Sequence, residues 1–371
     1  MPKLYPSGVS ELDRLATPAL VLDLDTLEAN LERMQAKADR LGVALRPHLK
    51  THKCLEIGNR QLALGARGAT VSTLFEAQVF AAHGFDDLTW AFPVIPSRID
   101  EVVRLASQTT LRLVIDSTVA LDLLERTGRQ LHVWLKVDCG YHRAGIDPSS
   151  PLALDLARRI ADSPRLHLDG LLTHSGQAYH PGSADRIQTI AEHERAVLVD
   201  LAHELRHSGI EVPGVSVGST PAMSAVTNLG GVTEVRPGNY ALYDWHQVCL
   251  GSCAVEDCAA TVLASVVSSN VSGGSVIDAG ALALSKDLGP SSWENPRYGR
   301  VYADYAKGEL SPASIVSLSQ EHGVVDAELQ VGDRLRILPN HSCLTVAQFD
   351  EFVVVRGDEI VERWKIWRGR N

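Results

Sequence analysis

The sequence is short of cysteine, of positive charge and of long apolar runs, and each shortage excludes something. Six cysteines are scattered over 371 residues, at Cys54, Cys139, Cys249, Cys253, Cys258 and Cys343. Their unequal spacing contains no Cys-x-x-Cys pair, so neither a disulfide framework nor a zinc ribbon is expected, and Cys249, Cys253 and Cys258 read as free thiols. No apolar run approaches the roughly 20 residues that a membrane-spanning helix requires. The start, Met1-Pro2-Lys3-Leu4-Tyr5-Pro6, carries no apolar signal core, and the expectation is a cytoplasmic protein with reduced thiols. A formal net charge of -10 leaves no basic footprint for nucleic acid or an anionic membrane surface. Small molecules are therefore the expected partners. There is no low-complexity tract, and 45% apolar with 22% charged residues is an ordinary globular composition.

What the chain does have is alternation. Ala19-Leu20-Val21-Leu22 is an apolar run, and Asp25-Thr26-Leu27-Glu28 after it resembles a capped helix start, followed by Leu27, Leu31, Met34 and Leu41 at roughly helical spacing. Eight β-rich runs follow, near 44–49, 69–73, 88–92, 111–116, 131–138, 167–174, 213–217 and 231–236, with helical periodicity between most of them, as over 75–82 and 152–161. The economical fold is an α/β (β/α)8 barrel over residues 15–245, with an open doubly wound sheet as the alternative. After Asp244 the texture changes to β-branched runs (260–267, 275–277, 334–338, 351–355), which predict a C-terminal mostly antiparallel β domain of residues 246–371 joined by 1–14. The stretch 288–310, rich in Gly, Pro, Asn and Tyr, reads as a long irregular loop.

In a parallel barrel, chemistry sits at the carboxyl ends of the strands. Those ends carry Lys50, Ser72 and Thr73, Asp116, Asp138 with His142 and Arg143, His174, Gly218-Ser219-Thr220, and Arg236. Within Arg46-Pro47-His48-Leu49-Lys50-Thr51-His52-Lys53 an amine nucleophile stands where the first barrel strand ends, and a lysine there can hold pyridoxal phosphate as a Schiff base. A solvated basic loop is the bland reading of the same residues. Gly218-Ser219-Thr220-Pro221 after Val215-Ser216-Val217 suits a phosphate: glycine admits the backbone, and hydroxyls and amide hydrogens meet the anion. On its own it is equally a simple turn. His341-Ser342-Cys343, on a segment read as extended, points an imidazole and a thiolate to one side, where they can share a zinc ion and leave positions open for water or substrate, while a buried cysteine beside a satisfied histidine is the bland reading of the same pair. Tyr179 can stack on a cofactor or serve as a packed aromatic residue, and His48, His52 and His174 can tune protonation or be paired structural histidines. Trp364 and Trp367 read as packing residues of the last strand.

Taken together, these segments make the chain resemble the fold-type III pyridoxal phosphate enzymes of the D-serine dehydratase and D-threonine aldolase family, relatives of alanine racemase. The likeness runs through 17–25, 46–53, Asp138-Cys139-Gly140-Tyr141-His142-Arg143-Ala144-Gly145, Gly218-Ser219-Thr220-Pro221 and Glu234-Val235-Arg236-Pro237-Gly238-Asn239-Tyr240. It continues in Asp278-Ala279-Gly280, Gln320-Glu321-His322-Gly323 and Pro339-Asn340-His341-Ser342-Cys343. The resemblance implies Lys50 as the Schiff-base lysine, and cofactor contacts at Arg143, Tyr179, Gly218, Ser219, Thr220, Arg236, Gly238 and Asn239. It implies Zn2+ on His341 and Cys343, and active sites at a homodimer interface. The family's aldolases typically pair the histidine with aspartate and its dehydratases with cysteine, so Cys343 favours dehydration. The expected activity is a zinc-assisted D-3-hydroxy amino acid dehydratase, with D-serine as the first substrate. The alternatives are a D-threonine aldolase-like lyase, a D-threo-3-hydroxyaspartate dehydratase, and a non-catalytic pyridoxal phosphate-binding protein.

Overall fold

The computed structural model of the chain describes residues 11–183, 185–271, 273–289 and 296–370. Two units divide it: a barrel unit of Glu32–Gly238 with 367–370, and a β unit of residues up to Leu31 with Asn239–Ile366. Strand β1 (Ala19–Asp23) belongs to the β unit. The next eight strands make the barrel: β2 (Ala44–Leu45), β3 (Ala69–Val71), β4 (Asp87–Pro93), β5 (Thr110–Ile115), β6 (Leu131–Lys136), β7 (Leu166–Leu172), β8 (Gly214–Val217) and β9 (Glu234–Val235). Their order is β2-β9-β8-β7-β6-β5-β4-β3, and every neighbouring pair is parallel. The two outer strands meet through the His48–Thr70 bridge and the Thr70 N–H to Pro47 carbonyl bond of 2.8 Å, which close the sheet into the expected (β/α)8 barrel.

Local chemistry starts the helices between these strands. Thr73 and Ser117 accept backbone N–H groups of Glu76 (3.1 Å) and Ala120 (3.3 Å) as N-caps, and Ser150 caps a helix with proline in its first turn. The apolar faces of helices and strands fill the core, with Leu74, Phe80, Leu88, Trp90, Leu113, Ile115, Leu135 and Leu156 all buried.

A belt of ion pairs also crosses the barrel. Glu234 accepts from Arg46 Nε (2.9 Å), Arg46 forks onto Asp87 (2.8 and 3.0 Å), Asp87 accepts from Arg112 Nε (2.7 Å), and Arg112 meets Asp169 (2.7 Å), which also holds His132 (2.8 Å). Burial opposes the charge on Asp87, but Arg112 and Arg46 outweigh it and hold the carboxyl down at about 2. A carboxylate with a lowered folded-state pKa stabilises above its ordinary value and loses that contribution as pH falls through the folded one. Asp87→Asn is therefore expected to cost about 2 kcal/mol near neutrality. In urea unfolding, its difference from the parent should shrink as pH falls from about 4 to about 2.

The β unit carries β10 (Ala260–Val271), β11 (Gly274–Ile277), β12 (Gly299–Asp304), β13 (Glu309–Leu318), β14 (Gly323–Val325), β15 (Arg334–Pro339), β16 (Glu351–Arg356) and β17 (Glu359–Lys365). The order β11-β14-β13-β12-β15-β10-β1-β16-β17, with β11 also pairing β10, rolls β10 to β15 into an antiparallel barrel and appends β1, β16 and β17. Among the described residues of this sheet, β1–β16 is the one parallel pair.

Three details differ from the sequence reading. Residues 15–31 group with the β unit, because β1 pairs antiparallel with β10 and parallel with β16. The helix Leu24–Arg40 is capped by Asp23, whose Oδ1 accepts the Thr26 N–H at 2.9 Å, while Asp25 pairs with Arg356. Within 288–310 the chain forms β12, where the buried side chains of Val301 and Tyr302 anchor a strand between β13 and β15.

Candidate active site

In the barrel unit, β2 runs on through Arg46 and Pro47 to His48, and the chain then makes a 3-10 turn over Leu49–Thr51. The His48 imidazole accepts the Lys50 backbone N–H at 3.4 Å, starting that turn. Leu49 and Thr51 are buried, so Lys50 between them faces outward and is exposed. Gly238 packs against the same turn. A Cβ on it would lie 2.7 Å from the His48 carbonyl oxygen and 2.9 Å from its Cβ, so the contact needs glycine.

The two lysines of the segment differ in their engagements. Lys53 gives its amine to the carboxylate of Glu76, which is buried and also accepts the Ser72 N–H at 2.6 Å. The Lys50 amine forms no hydrogen bond or ion pair among the described residues. His52 is buried and pushed down to about 3, chiefly by desolvation, and its Nδ1 accepts the Cys54 N–H at 3.2 Å, which is a structural role.

Around Lys50 the barrel gathers cations. Burial first, and then the charges of Lys50 and Arg236 among others, hold both His48 and His174 well below the ordinary imidazole range. They are neutral acceptors near pH 7. Arg236 is buried at the end of β9, with its guanidinium donating to the Ser216 hydroxyl and the Thr173 carbonyl. Lys136, at the end of β6, is buried and is pushed down to about 7 by desolvation and then by Arg236. Two buried carboxylates act on Arg236: Glu234, which accepts the Ser216 hydroxyl at 2.6 Å, and Glu194, which accepts the Ser175 N–H at 2.8 Å.

Arg143 stands on the 138–145 loop. Asp138 Oδ1 organises that loop by accepting the N–H groups of Gly140, Tyr141 and His142 at 3.0, 3.1 and 3.0 Å. The Arg143 guanidinium lies over the Tyr141 ring, 5.0 Å from its centroid. The His174 ring is 6.3 Å from both Tyr141 and Tyr179. Gly218, at φ +98°, leads into the helix Thr220–Ala225, and Ser219 caps that helix by accepting the Ala222 N–H at 3.3 Å. Lys50, Arg143, Tyr179, Arg236 and the 218–220 turn all sit at carboxyl ends of barrel strands or in the loops that follow them.

Asn239 is placed differently, in the β unit, with its amide donating to Asp244 (2.6 Å) and to the Ser342 hydroxyl (3.0 Å). Asp244 also accepts the Ser342 N–H at 2.9 Å and so fixes the residue between His341 and Cys343. That segment is not extended as expected: Ser342–Val346 is a short helix with His341 as its N-cap, at φ -141° and ψ 100°. The extended cap residue nevertheless brings the imidazole into hydrogen-bond contact with Cys343. Asp287 Oδ2 holds His341 Nδ1 at 2.9 Å, and Asn340 steadies Asp287 through its carbonyl at 2.8 Å. Burial lowers the His341 pKa, but Cys343 and Asp287 outweigh it and leave a net rise. No third histidine, cysteine or carboxylate completes a metal cluster among the described residues.

The sequence reading missed Asp287, Tyr141, Lys136 and the Glu76 partner of Lys53. A lysine closing the apolar strand Leu131–Lys136 was a visible signal. Asp287 lies 54 residues from its histidine and offered none.

An alanine racemase-like barrel with an unengaged lysine after its first strand, followed by a β barrel, defines a class of pyridoxal phosphate enzymes. Residues 22–244 match the alanine racemase N-terminal domain and residues 259–355 the putative serine dehydratase domain. D-threo-3-hydroxyaspartate dehydratase of Delftia sp. (strain HT23) is 38% identical, over 96% of this chain and 98% of that protein. D-serine dehydratase of Dictyostelium discoideum is 34% identical over 96% and 97%, and D-threonine aldolase of Arthrobacter sp. 32% over 96% and 93%. A solved D-threo-3-hydroxyaspartate dehydratase, a cysteine-to-alanine mutant in the metal-free form, superposes with a TM-score of 0.91 at 38% identity, covering 96% of this chain and 99% of that one. The chain belongs to the pyridoxal phosphate-dependent family of D-3-hydroxy amino acid dehydratases and aldolases, and is an enzyme. Among the described residues, no helix is long and apolar enough to cross a membrane.

The residues present fit an anionic aldehyde cofactor, because the barrel mouth gathers the cations Lys136, Arg143 and Arg236 around a Lys50 amine that has no hydrogen bond or ion pair among the described residues. The β unit fits a thiophilic metal, because an imidazole oriented by a carboxylate meets a thiol.

Proposed function

We propose that the chain removes water from a D-3-hydroxy amino acid, D-serine first among them, to give a 2-keto acid and ammonia. The observation that carries this reading is the difference between the lysines: Lys53 is committed to Glu76, and the Lys50 amine has no hydrogen bond or ion pair among the described residues. Pyridoxal phosphate, when bound, supplies an aldehyde for the Lys50 amine and a sink for the electrons left at Cα. Zinc, when bound at His341 and Cys343, supplies Lewis acidity to the departing oxygen.

The chain's own groups do the rest. Lys50 Nζ, once free, takes the proton from Cα. Gly218, Ser219 and Thr220 would hold the phosphate, and Gly238 keeps the Lys50 turn close to the backbone. Arg236, immobilised by Ser216 and Thr173, would face the cofactor's ring together with Arg143 and Tyr179. Neutral His48 and His174 add no further charge to a mouth already rich in cations. Asp287 fixes the imidazole through Nδ1, so that its other nitrogen, beside the Cys343 thiol, would be the one offered to a metal. Hydroxide leaves Cβ as the proton leaves Cα, and the water lost is regained when the released enamine hydrolyses.

Cys343 supports dehydration over carbon–carbon cleavage. In solved mutants of a D-threo-3-hydroxyaspartate dehydratase, a histidine and a cysteine two positions apart are the residues replaced by alanine, the cysteine mutant in a metal-free form, and His341 and Cys343 share that spacing. Incubation with D-serine is expected to yield pyruvate and ammonia in equal amounts, with D-threo-3-hydroxyaspartate run alongside to rank the substrates. Glycine plus an aldehyde, from any D-3-hydroxy amino acid, would replace this reading with an aldolase.

A further inference from the structure

We propose that the segment Trp367–Arg370 is a strap that positions the Lys50 turn, with Trp367 as the positioning residue. The proposal rests on the reading of Lys50 as the cofactor's amine and adds to it a second element that decides where this amine stands.

The turn over Leu49–Thr51 is only three residues long and so takes its geometry from its two ends. At one end His48 donates its N–H to the Pro237 carbonyl at 2.9 Å and packs on Gly238. At the other end Lys53 adopts φ +49°, a left-handed conformation that an L-residue with a long side chain rarely takes without support. Three bonds hold it there. Its N–H reaches the Leu49 carbonyl at 2.8 Å, its amine meets Glu76, and its carbonyl accepts the Trp367 N–H at 2.7 Å.

The third bond is itself anchored. The Trp367 ring lies 5.3 Å from that of His83, tilted by 53°. Gly369 lies against the Phe75 ring so closely that a Cβ would come within 2.8 Å of Phe75 Cε1. Arg98 donates to the Arg370 carbonyl at 3.4 Å. Phe75 and Glu76 are neighbours on the helix Leu74–Ala82, and His83 is its C-cap. One helix therefore holds Lys53 twice, directly through Glu76 and indirectly through the strap.

The test compares holoenzymes. Trp367→Pro removes the N–H and the ring; Trp367→Phe keeps the N–H and an aromatic ring. For Trp367→Pro, loss of one well-formed backbone bond predicts a coenzyme Kd raised and kcat lowered by about tenfold each, with the KM for the amino acid unchanged. Trp367→Phe is expected to restore both. Gly369→Val, which wedges the strap away from Phe75 and leaves Trp367 in place, should move the same two readouts in the same direction, and it keeps the test informative if the proline variant fails to fold. Unchanged coenzyme affinity and kcat in Gly369→Val and in a folded Trp367→Pro overturn the strap, as does a fall in KM-dependent terms alone. Borohydride trapping in the unaltered protein separates the two ideas. Label at another lysine overturns the role of Lys50 itself, whereas label at Lys50 with unaffected variants overturns only the strap.

Discussion

Replacing Lys50 by alanine is expected to leave a folded, colourless protein whose turnover is lower by about a thousandfold or more, since both the covalent hold on the cofactor and the proton acceptor are lost together. The side chain is exposed and makes no hydrogen bond or ion pair among the described residues, so its removal should cost little stability. Lys53 cannot take its place. Its amine is tied to a buried carboxylate, and drawing it away would leave the charge of Glu76 in the core without its ion-pair partner.

The complementary variant makes the argument sharper. Lys53→Met should lower stability by about 3 to 5 kcal/mol, the usual result of orphaning a buried partner, while the protein still takes up coenzyme through Lys50. Absorbance of the purified variants and peptide mapping after borohydride reduction read these outcomes separately. A yellow Lys50→Ala protein with ordinary kcat would end the assignment.

The barrel was legible because most of its strands lie in apolar runs separated by helical periodicity, a pattern that needs no partner to be read. The same rule misplaced Ala19–Asp23. A strand buried on both faces looks alike in a parallel barrel and in the middle of an antiparallel sheet, and only its pairing with β10 and β16 tells them apart. Strand β12 was hidden in a stretch dominated by turn-forming residues, where Val301 and Tyr302 are too few to give a period. The Lys50 turn and the His341–Cys343 pair were legible because their members are close in sequence. The Arg46–Glu234 and His341–Asp287 bonds join residues 188 and 54 positions apart, and such partners are chosen by the fold rather than by any local pattern. The His341–Cys343 pair also shows a right residue reached by the wrong geometry. Residues two apart on a helix do not face each other, and the pair meets because His341 is the extended cap and not part of the helix.

Cys343→Ala is expected to abolish elimination while the coenzyme stays bound, because the substitution leaves the Lys50 amine and the turn that carries it unaltered. Hydroxide is a poor leaving group, and Lewis-acid assistance to such an oxygen is commonly worth several kcal/mol, or about a thousandfold in rate. With only His341 left, a metal would have one protein ligand among the described residues, too few to retain it through purification. Chelation of the parent protein should therefore reproduce the variant, and added zinc should rescue the parent but not Cys343→Ala. Asp287→Asn supplies a graded control. It keeps both ligands but weakens the carboxylate that orients the imidazole at 2.9 Å, so metal affinity should fall by about 10- to 100-fold and activity should return at high zinc. Elemental analysis of metal per chain, taken beside the coenzyme absorbance, reads the metal independently of turnover. Equal metal content in the parent and Cys343→Ala, or full activity in the chelated parent, would remove the metal from the reaction and leave Lys50 to account for it alone.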